Sequence, residues 1–268
     1  MKENKVIVIT GATRGIGKAL AVELSSRGHI VYGTGRTRVN PKAVKFTPVV
    51  MDINDDASVK KGINSVLKNE GRIDILVNNA GISHCGPVEE TPDSTARSVF
   101  ETNYFGIVRT VQAVLPSMRR EGRGTIVNIG SLAGRIGIPF QPHYSSSKFA
   151  VEGLSEALMH ELRPLGIRVI LVEPGDVGTT IWESSPKLNK KSSPYSPLLE
   201  KFYAVKQKEM GHEVDPPEKV AKEIADIVES SKNGFRFPVA KGSRFISIAR
   251  KLLPDFIFLK LIARNYNL

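Results

Sequence analysis

The fold this sequence predicts is a single α/β domain, residues 1–268, built as a doubly wound parallel sheet with helices on both faces. Two observations lead there. Six short β-branched runs occupy the first two thirds of the chain, and longer segments with apolar residues at helical spacing separate them. Strands that are continuously apolar and alternate with helices make a parallel sheet covered on both sides. Right-handed crossovers then wind it both ways.

The elements follow in order. Val6–Thr10 is the first strand, and Leu20 and Leu24 mark one face of the helix after it. Ile30–Thr34 and Thr47–Met51 are the next strands; Val59, Ile63, Val66 and Leu67 then share a helical face. Ile73–Val77 precedes a helix with Val108, Val111 and Leu115 on one side, and Thr125–Ile129 and Arg168–Val172 complete the six. Periodicities of two and 3.6 separate the strands from the helices. No linker or repeat divides the chain. Beyond Val172, residues 174–217 are broken by prolines and glycines, which predicts an irregular excursion of the kind used as a substrate lid. A helix is expected from Pro217 to Ser231, with Val220, Ile224, Ile227 and Val228 on its inner face.

Composition narrows the function classes. With 41% apolar and 24% charged residues in 268, disorder and fibrous architectures are excluded. The only cysteine is Cys85, so an intramolecular disulfide and a multi-cysteine zinc site are excluded, no metal site is expected, and a reducing, cytoplasmic setting is. Val6–Ile9 is too short for a signal peptide core, and Lys260 interrupts Phe256–Ala263, which is too short to span a bilayer. Residues 232–268 hold eight Lys or Arg against the single acid Asp255, a surplus of seven within a net charge of +11. The basic character belongs to the tail, without the interleaved aromatics or reading motif of a nucleic-acid binder, and none is expected as a partner.

The chemistry-bearing residues lie where the strands end. Thr10-Gly11-Ala12-Thr13-Arg14-Gly15-Ile16-Gly17 joins the first strand to a helix. Glycines there let the backbone turn and approach a pyrophosphate, while the helix N-terminus offers free N–H groups. Asn78-Asn79-Ala80-Gly81 follows the fourth strand, Asn103 lies in the next helix, and Ser131 follows the fifth strand. Tyr144 and Lys148 stand four apart, and Pro174-Gly175 with Thr179 follows the sixth strand.

In this order and with the Gly-x-x-x-Gly-x-Gly spacing, the chain resembles the short-chain dehydrogenase/reductase family over about residues 5–180. The hydroxysteroid- and retinol-dehydrogenase-like branch is the most similar. The resemblance implies a Rossmann fold and a catalytic set of Asn103, Ser131, Tyr144 and Lys148. It implies cofactor contacts from Gly11, Thr13, Arg14, Gly15, Ile16, Gly17, Arg36, Asp52, Ile53, Asn79, Ala80, Gly81, Tyr144, Lys148, Pro174, Gly175, Val177 and Thr179. Asp52 would bond the adenine amino group, Lys148 the nicotinamide ribose, and Asn103 a water linking Lys148 to solvent.

Elementary chemistry agrees. A phenol titrates near ~10, and positive charge from Lys148 and an oxidised nicotinamide is expected to lower Tyr144 from there. Tyr144 can then pass a proton to a carbonyl oxygen that Ser131 holds in place, or take one from an alcohol. His143, on a different helical face, is at most a wall of the substrate pocket, Ser145–Ser147 permit close packing, and Cys85 is a small pocket or core residue.

Cofactor choice is written at the end of the second strand. An NAD site places an acid there; Tyr32-Gly33-Thr34-Gly35-Arg36-Thr37-Arg38 has none. Arg36 and Arg14 suit a 2′-phosphate, so NADP(H) is expected. The expected activity is reversible reduction of a ketone or aldehyde, with a hydrophobic substrate implied by the branch and a homo-oligomeric enzyme expected. A non-catalytic NADP-binding sensor or membrane-surface adaptor is the alternative; a sensor would be expected to have lost Ser131, Tyr144 or Lys148, the adaptor rests only on the tail, and neither explains the intact set. The segment 241–268 is basic and amphipathic: Phe245, Ile248, Leu252 and Leu253 share spacing, as do Phe256, Leu259 and Ile262. It can lie on an anionic membrane, but packing on the lid or another subunit is the favoured expectation.

Overall fold

A computed structural model describes residues 4–179, 181, 192–212, 214–230 and 234–268. In chain order the main elements are β1 (Val6–Ile9), α1 (Gly15–Ser26), β2 (Ile30–Gly35), β3 (Thr47–Val50), α2 (Asp56–Glu70), β4 (Ile75–Asn78), α3 (Asp93–Phe100), α4 (Gly106–Glu121), β5 (Gly124–Ile129), α5 (Pro142–Leu162), β6 (Ile167–Pro174), α6 (Ser196–His212), α7 (Pro217–Glu229), β7 (Arg236–Val239), α8 (Ser243–Leu252) and α9 (Asp255–Asn265). The strands form one seven-stranded sheet in the order β3-β2-β1-β4-β5-β6-β7, every pair parallel.

Chain direction across the sheet reverses at β1, whose neighbours are β2 and β4. That switch point opens a crevice at the C-terminal ends of the strands, where doubly wound sheets bind ligands. Leu20, Leu24, Val220 and Ile224 cover one face from α1 and α7; Val59 and Ile63 of α2, Val111 of α4 and Val151 of α5 cover the other. Local chemistry sets the ends. Asp55 caps α2 by accepting from Ala57 N and Ser58 N, Gly71 closes it in the left-handed conformation, and prolines open α5 and α7 at the first turn. A buried polar chain then locks the layers: Thr110 Oγ1 donates to Asn78, Asn78 Nδ2 to Asn128 at 2.9 Å, and Asn128 Nδ2 to Ser155 at 2.9 Å.

The structure corrects four readings of the sequence. A seventh strand, Arg236–Val239, was concealed by Pro238; edge strands tolerate proline, and Pro48 in β3 marks the opposite edge. The core face of α4 is Ile107, Val111, Val114 and Met118, with Val108 and Leu115 rotated to its margin. The excursion after Val172 contains the 17-residue helix α6, because Pro197 sits in its first turn and Gly211 near its end. Residues 180, 182–191 and 213 of the excursion, and Ser231, lie outside the described residues. The C-terminal segment is only partly packed: Phe258 and Tyr266 are buried, while Phe245, Ile248, Leu252, Phe256 and Leu259 are exposed.

Candidate active site

The loop between β1 and α1 is made by glycine at two close approaches. Gly11 has φ +66°, and a Cβ there would stand 2.8 Å from Ala80 Cα. A Cβ on Gly17 would stand 2.3 Å from Asn79 Nδ2 and 2.5 Å from the Gly11 carbonyl oxygen. Asn79 ties the loop to β4: its Nδ2 donates to the carbonyls of Thr10 and Gly11, and its own N–H donates to Thr10 Oγ1 at 3.0 Å. Arg14 is the N-cap of α1 and makes no side-chain cap, which leaves the first-turn N–H groups without a side-chain acceptor. Arg14 and Arg36 are both exposed at the rim, and neither forms an ion pair among the described residues. A glycine cradle, an uncapped helix N-terminus and two unpaired guanidiniums fit the phosphates of a dinucleotide.

One cleft of about 920 Å³ receives all the sequence-predicted residues except Gly17 and Asn103, which lie behind its wall. Tyr144 and Lys148 project from α5 and Ser131 from the end of β5. Ser131 Oγ accepts from Ala133 N at 3.1 Å and shares the cleft with Tyr144, and Lys148 Nζ, 5.9 Å from the Tyr144 ring centroid, donates to the Ile129 carbonyl at 2.8 Å. Asn103 occupies a π-helical turn, Glu101–Phe105, between α3 and α4. Its Oδ1 accepts from Ile82 N at 2.9 Å, and its Nδ2 donates to Ile82 O at 3.0 Å and to Ser147 Oγ at 2.9 Å. The side chain thus clamps the loop after β4 to the helix bearing Tyr144.

Electrostatics depart from the expectation for Tyr144. Burial pushes its phenol above the ordinary value, Ser131 opposes this, Asp176 reinforces it and Lys206 opposes it. Lys148 exerts no comparable pull, because burial lowers its own ammonium to about 8. Without a bound cation, Tyr144 is therefore firmly protonated at neutral pH. His143 is not a wall of the cleft. Its Nε2 is buried without a partner, and with burial the ring depresses neighbouring His84. Cys85 is fully buried with Phe202 and Tyr266 in a small core beneath α6. Ser145 and Ser147 do more than permit packing: Ser145 Oγ accepts from Ile138 N, and Ser147 receives Asn103.

Sequence reasoning missed the far end of the cleft. Lys206 of α6 is buried, with Nζ 3.1 Å from Asp176 and 2.9 Å from Glu209, and it lies over the Tyr266 ring. These four residues and Gln141 line the cleft beside Ile136, Ile138, Phe245, Ile246, Phe258 and Ile262. Asp176 directly follows Pro174-Gly175 and was the one legible signal; the others are brought in by α6 and α9.

Behind Lys148, Glu152 of α5 sits against Glu173 of β6, with Arg236 Nε bonding Glu152 at 2.9 Å and Arg135 bonding Glu173 at 3.2 Å. Burial raises the Glu152 carboxyl above the usual range; Arg236 opposes this and Glu173 adds to it. The folded state thus keeps a proton that the unfolded chain has released, so this group costs stability as pH rises from the ordinary carboxylate range toward neutrality. Glu152→Gln should remove that dependence. In urea unfolding across a pH series, the variant is expected to gain on wild type by about 1–3 kcal/mol between acid and neutral pH. A pH-independent difference would show that Glu152 keeps no such proton in the folded state.

Fold and site together define a nicotinamide-dependent oxidoreductase, and the family profile for short chain dehydrogenase matches residues 5–190: the chain belongs to that family. It is similar to 3-ketodihydrosphingosine reductase of Bacteroides thetaiotaomicron, 38% identical over 237 residues, 88% of this chain and 87% of the relative. It is also similar to human 17-beta-hydroxysteroid dehydrogenase type 1, 33% identical over 93% of this chain and 81% of the relative. Among solved structures, a short chain dehydrogenase from Burkholderia cenocepacia J2315 in complex with NADP superimposes with a TM-score of 0.76 at 26% identity, covering 97% of this chain and 98% of its own. A short chain dehydrogenase/reductase from Burkholderia phymatum, TM-score 0.77 at 26% identity over 96% and 95%, is in complex with NAD.

Proposed function

We propose that this protein is an NADP(H)-dependent oxidoreductase that interconverts a ketone or aldehyde and its alcohol on a hydrophobic small molecule. The observation that carries the reading is the convergence of Ser131, Tyr144 and buried Lys148 in one cleft, with a glycine cradle at one end and apolar side chains at the other. The nicotinamide, when bound, supplies the hydride to the carbonyl carbon or takes it from the carbinol carbon. Ser131 orients the oxygen by a hydrogen bond, and Tyr144 donates its proton to that oxygen in reduction or accepts it back in oxidation. Lys148 holds the ribose hydroxyls. Asn103 holds the loop after β4 against α5, so it positions rather than reacts.

Arg14 and Arg36, with no acid at the end of β2, support NADP(H) over NAD(H). The substrate reading is supported by Ile136, Ile138, Ile246, Phe258 and Ile262 around the cleft, and by relatives named for a ketosphingosine and a hydroxysteroid. Asp176, Lys206 and Glu209 offer a polar end to such a molecule. We assign α6 to the lid expected over it. The single buried Cys85 supports a reducing, cytoplasmic setting, and Phe105 and Phe149, exposed on neighbouring helical segments, support self-association.

The test follows NADPH absorbance with a panel of carbonyls graded from small and water-soluble to long-chain and polycyclic. We expect kcat/KM to rise by about tenfold or more from the smallest to the largest apolar members, in line with the free energy of burying several methylenes. No consumption with any member would overturn the reading.

A further inference from the structure

We infer that the outward faces of α8 and α9 form a docking surface for an anionic membrane. The two helices are joined through Leu253-Pro254, and their inner sides, Ile246 and Ala249 on one and Phe258 and Ile262 on the other, line the cleft. The opposite sides carry Ile248, Leu252, Phe256 and Leu259, with Leu252 72% and Phe256 74% exposed. Large apolar side chains so exposed, contiguous on adjoining helices, mark an interaction surface.

Charge selects the occupant. Arg244, Lys251, Lys260 and Arg264 lie exposed along the same outward sides. The only acid of the segment, Asp255, is already paired with Arg250. A second copy of the chain docking by this patch would set the four cations against four more, because a two-fold contact pairs a surface with itself. An anionic lipid surface supplies the opposite charge and an apolar layer just beneath it, the combination that basic amphipathic helices bind. Among the described residues no helix is long and apolar enough to cross a membrane, so the contact is one of lying on the surface. It would set α8 and α9 between the bilayer and the apolar end of the cleft.

The test is co-sedimentation of the full-length protein with vesicles of phosphatidylcholine alone or mixed with phosphatidylglycerol. We expect binding to the mixed vesicles, release by high salt, and about tenfold or more weaker binding to the neutral ones. Leu252→Ser with Phe256→Ser, and separately Lys251→Glu with Lys260→Glu, should each cut binding by about as much. None of the four residues lines the cleft, so cofactor affinity and the thermal unfolding midpoint should stay at wild-type values and show that both variants fold. Wild type remaining in the supernatant, or binding both vesicle types equally, would overturn the inference. So would a dimer that the Leu252→Ser, Phe256→Ser variant dissociates with no vesicle binding, which assigns the face to a second copy. None of these outcomes depends on which substrate is reduced.

Discussion

Tyr144→Phe is expected to lower kcat by about three orders of magnitude while leaving the dissociation constant for NADPH within about twofold of wild type. The substitution removes one hydroxyl and keeps the ring that packs near Lys148. What disappears is the proton offered to the carbonyl oxygen, an interaction needed only in the transition state, so the loss falls on kcat. Ser131 remains to polarise the oxygen. Because burial keeps Tyr144 protonated at neutral pH, carbonyl reduction by wild type should be nearly flat with pH there. Alcohol oxidation, which needs the phenolate, should rise with pH. Single-turnover rates and fluorescence titration of NADPH measure the two halves. A variant retaining a tenth of the wild-type rate would remove Tyr144 as the acid.

How far the site can be read in the sequence depends on how local its geometry is. Strand ends and the glycine loop are local: β-branched runs place Gly11, Asn79, Ser131 and Pro174 at one edge of a parallel sheet without further information. Tyr144 and Lys148 need only one helix. The substrate end is not local, because Lys206 reaches Asp176 across 30 residues of chain and Tyr266 joins them from the last helix. A lysine in a polar, proline-flanked segment looks solvated, and only tertiary packing buries it. The titration of Tyr144 in the chain alone depends on tertiary packing in the same way. Spacing places Lys148 on the same helical face but says nothing of the burial that raises the phenol and lowers the amine together. The tail defeats local reading differently, since its periodicity is the same whether the apolar side meets protein, a second subunit or lipid.

Cofactor selectivity should respond most at Arg36. It follows β2 directly, at the rim where a 2′-substituent of the adenosine ribose would lie, and it is exposed with no ion pair among the described residues. A charge-assisted contact from such a guanidinium to a phosphate contributes roughly 1.5–3 kcal/mol. Arg36→Asp removes that attraction and places a carboxylate against the dianion. The same carboxylate can accept from a free ribose 2′-hydroxyl, so NADPH should suffer while NADH gains. The expected shift in the ratio of kcat/KM values is about two to three orders of magnitude, since each factor of ten corresponds to about 1.4 kcal/mol. Arg14→Ala should move the ratio the same way but by about tenfold, because it deletes one of two cations and introduces no repulsion. The effects of the two substitutions should fall short of additive when combined, since on the proposed reading both cations would act on one anion. Steady-state kinetics with both cofactors on wild type and the three variants measures all of this. A wild type that prefers NADH, or an unchanged ratio in Arg36→Asp, would make this arginine a surface charge and leave the 2′-phosphate without its principal ligand.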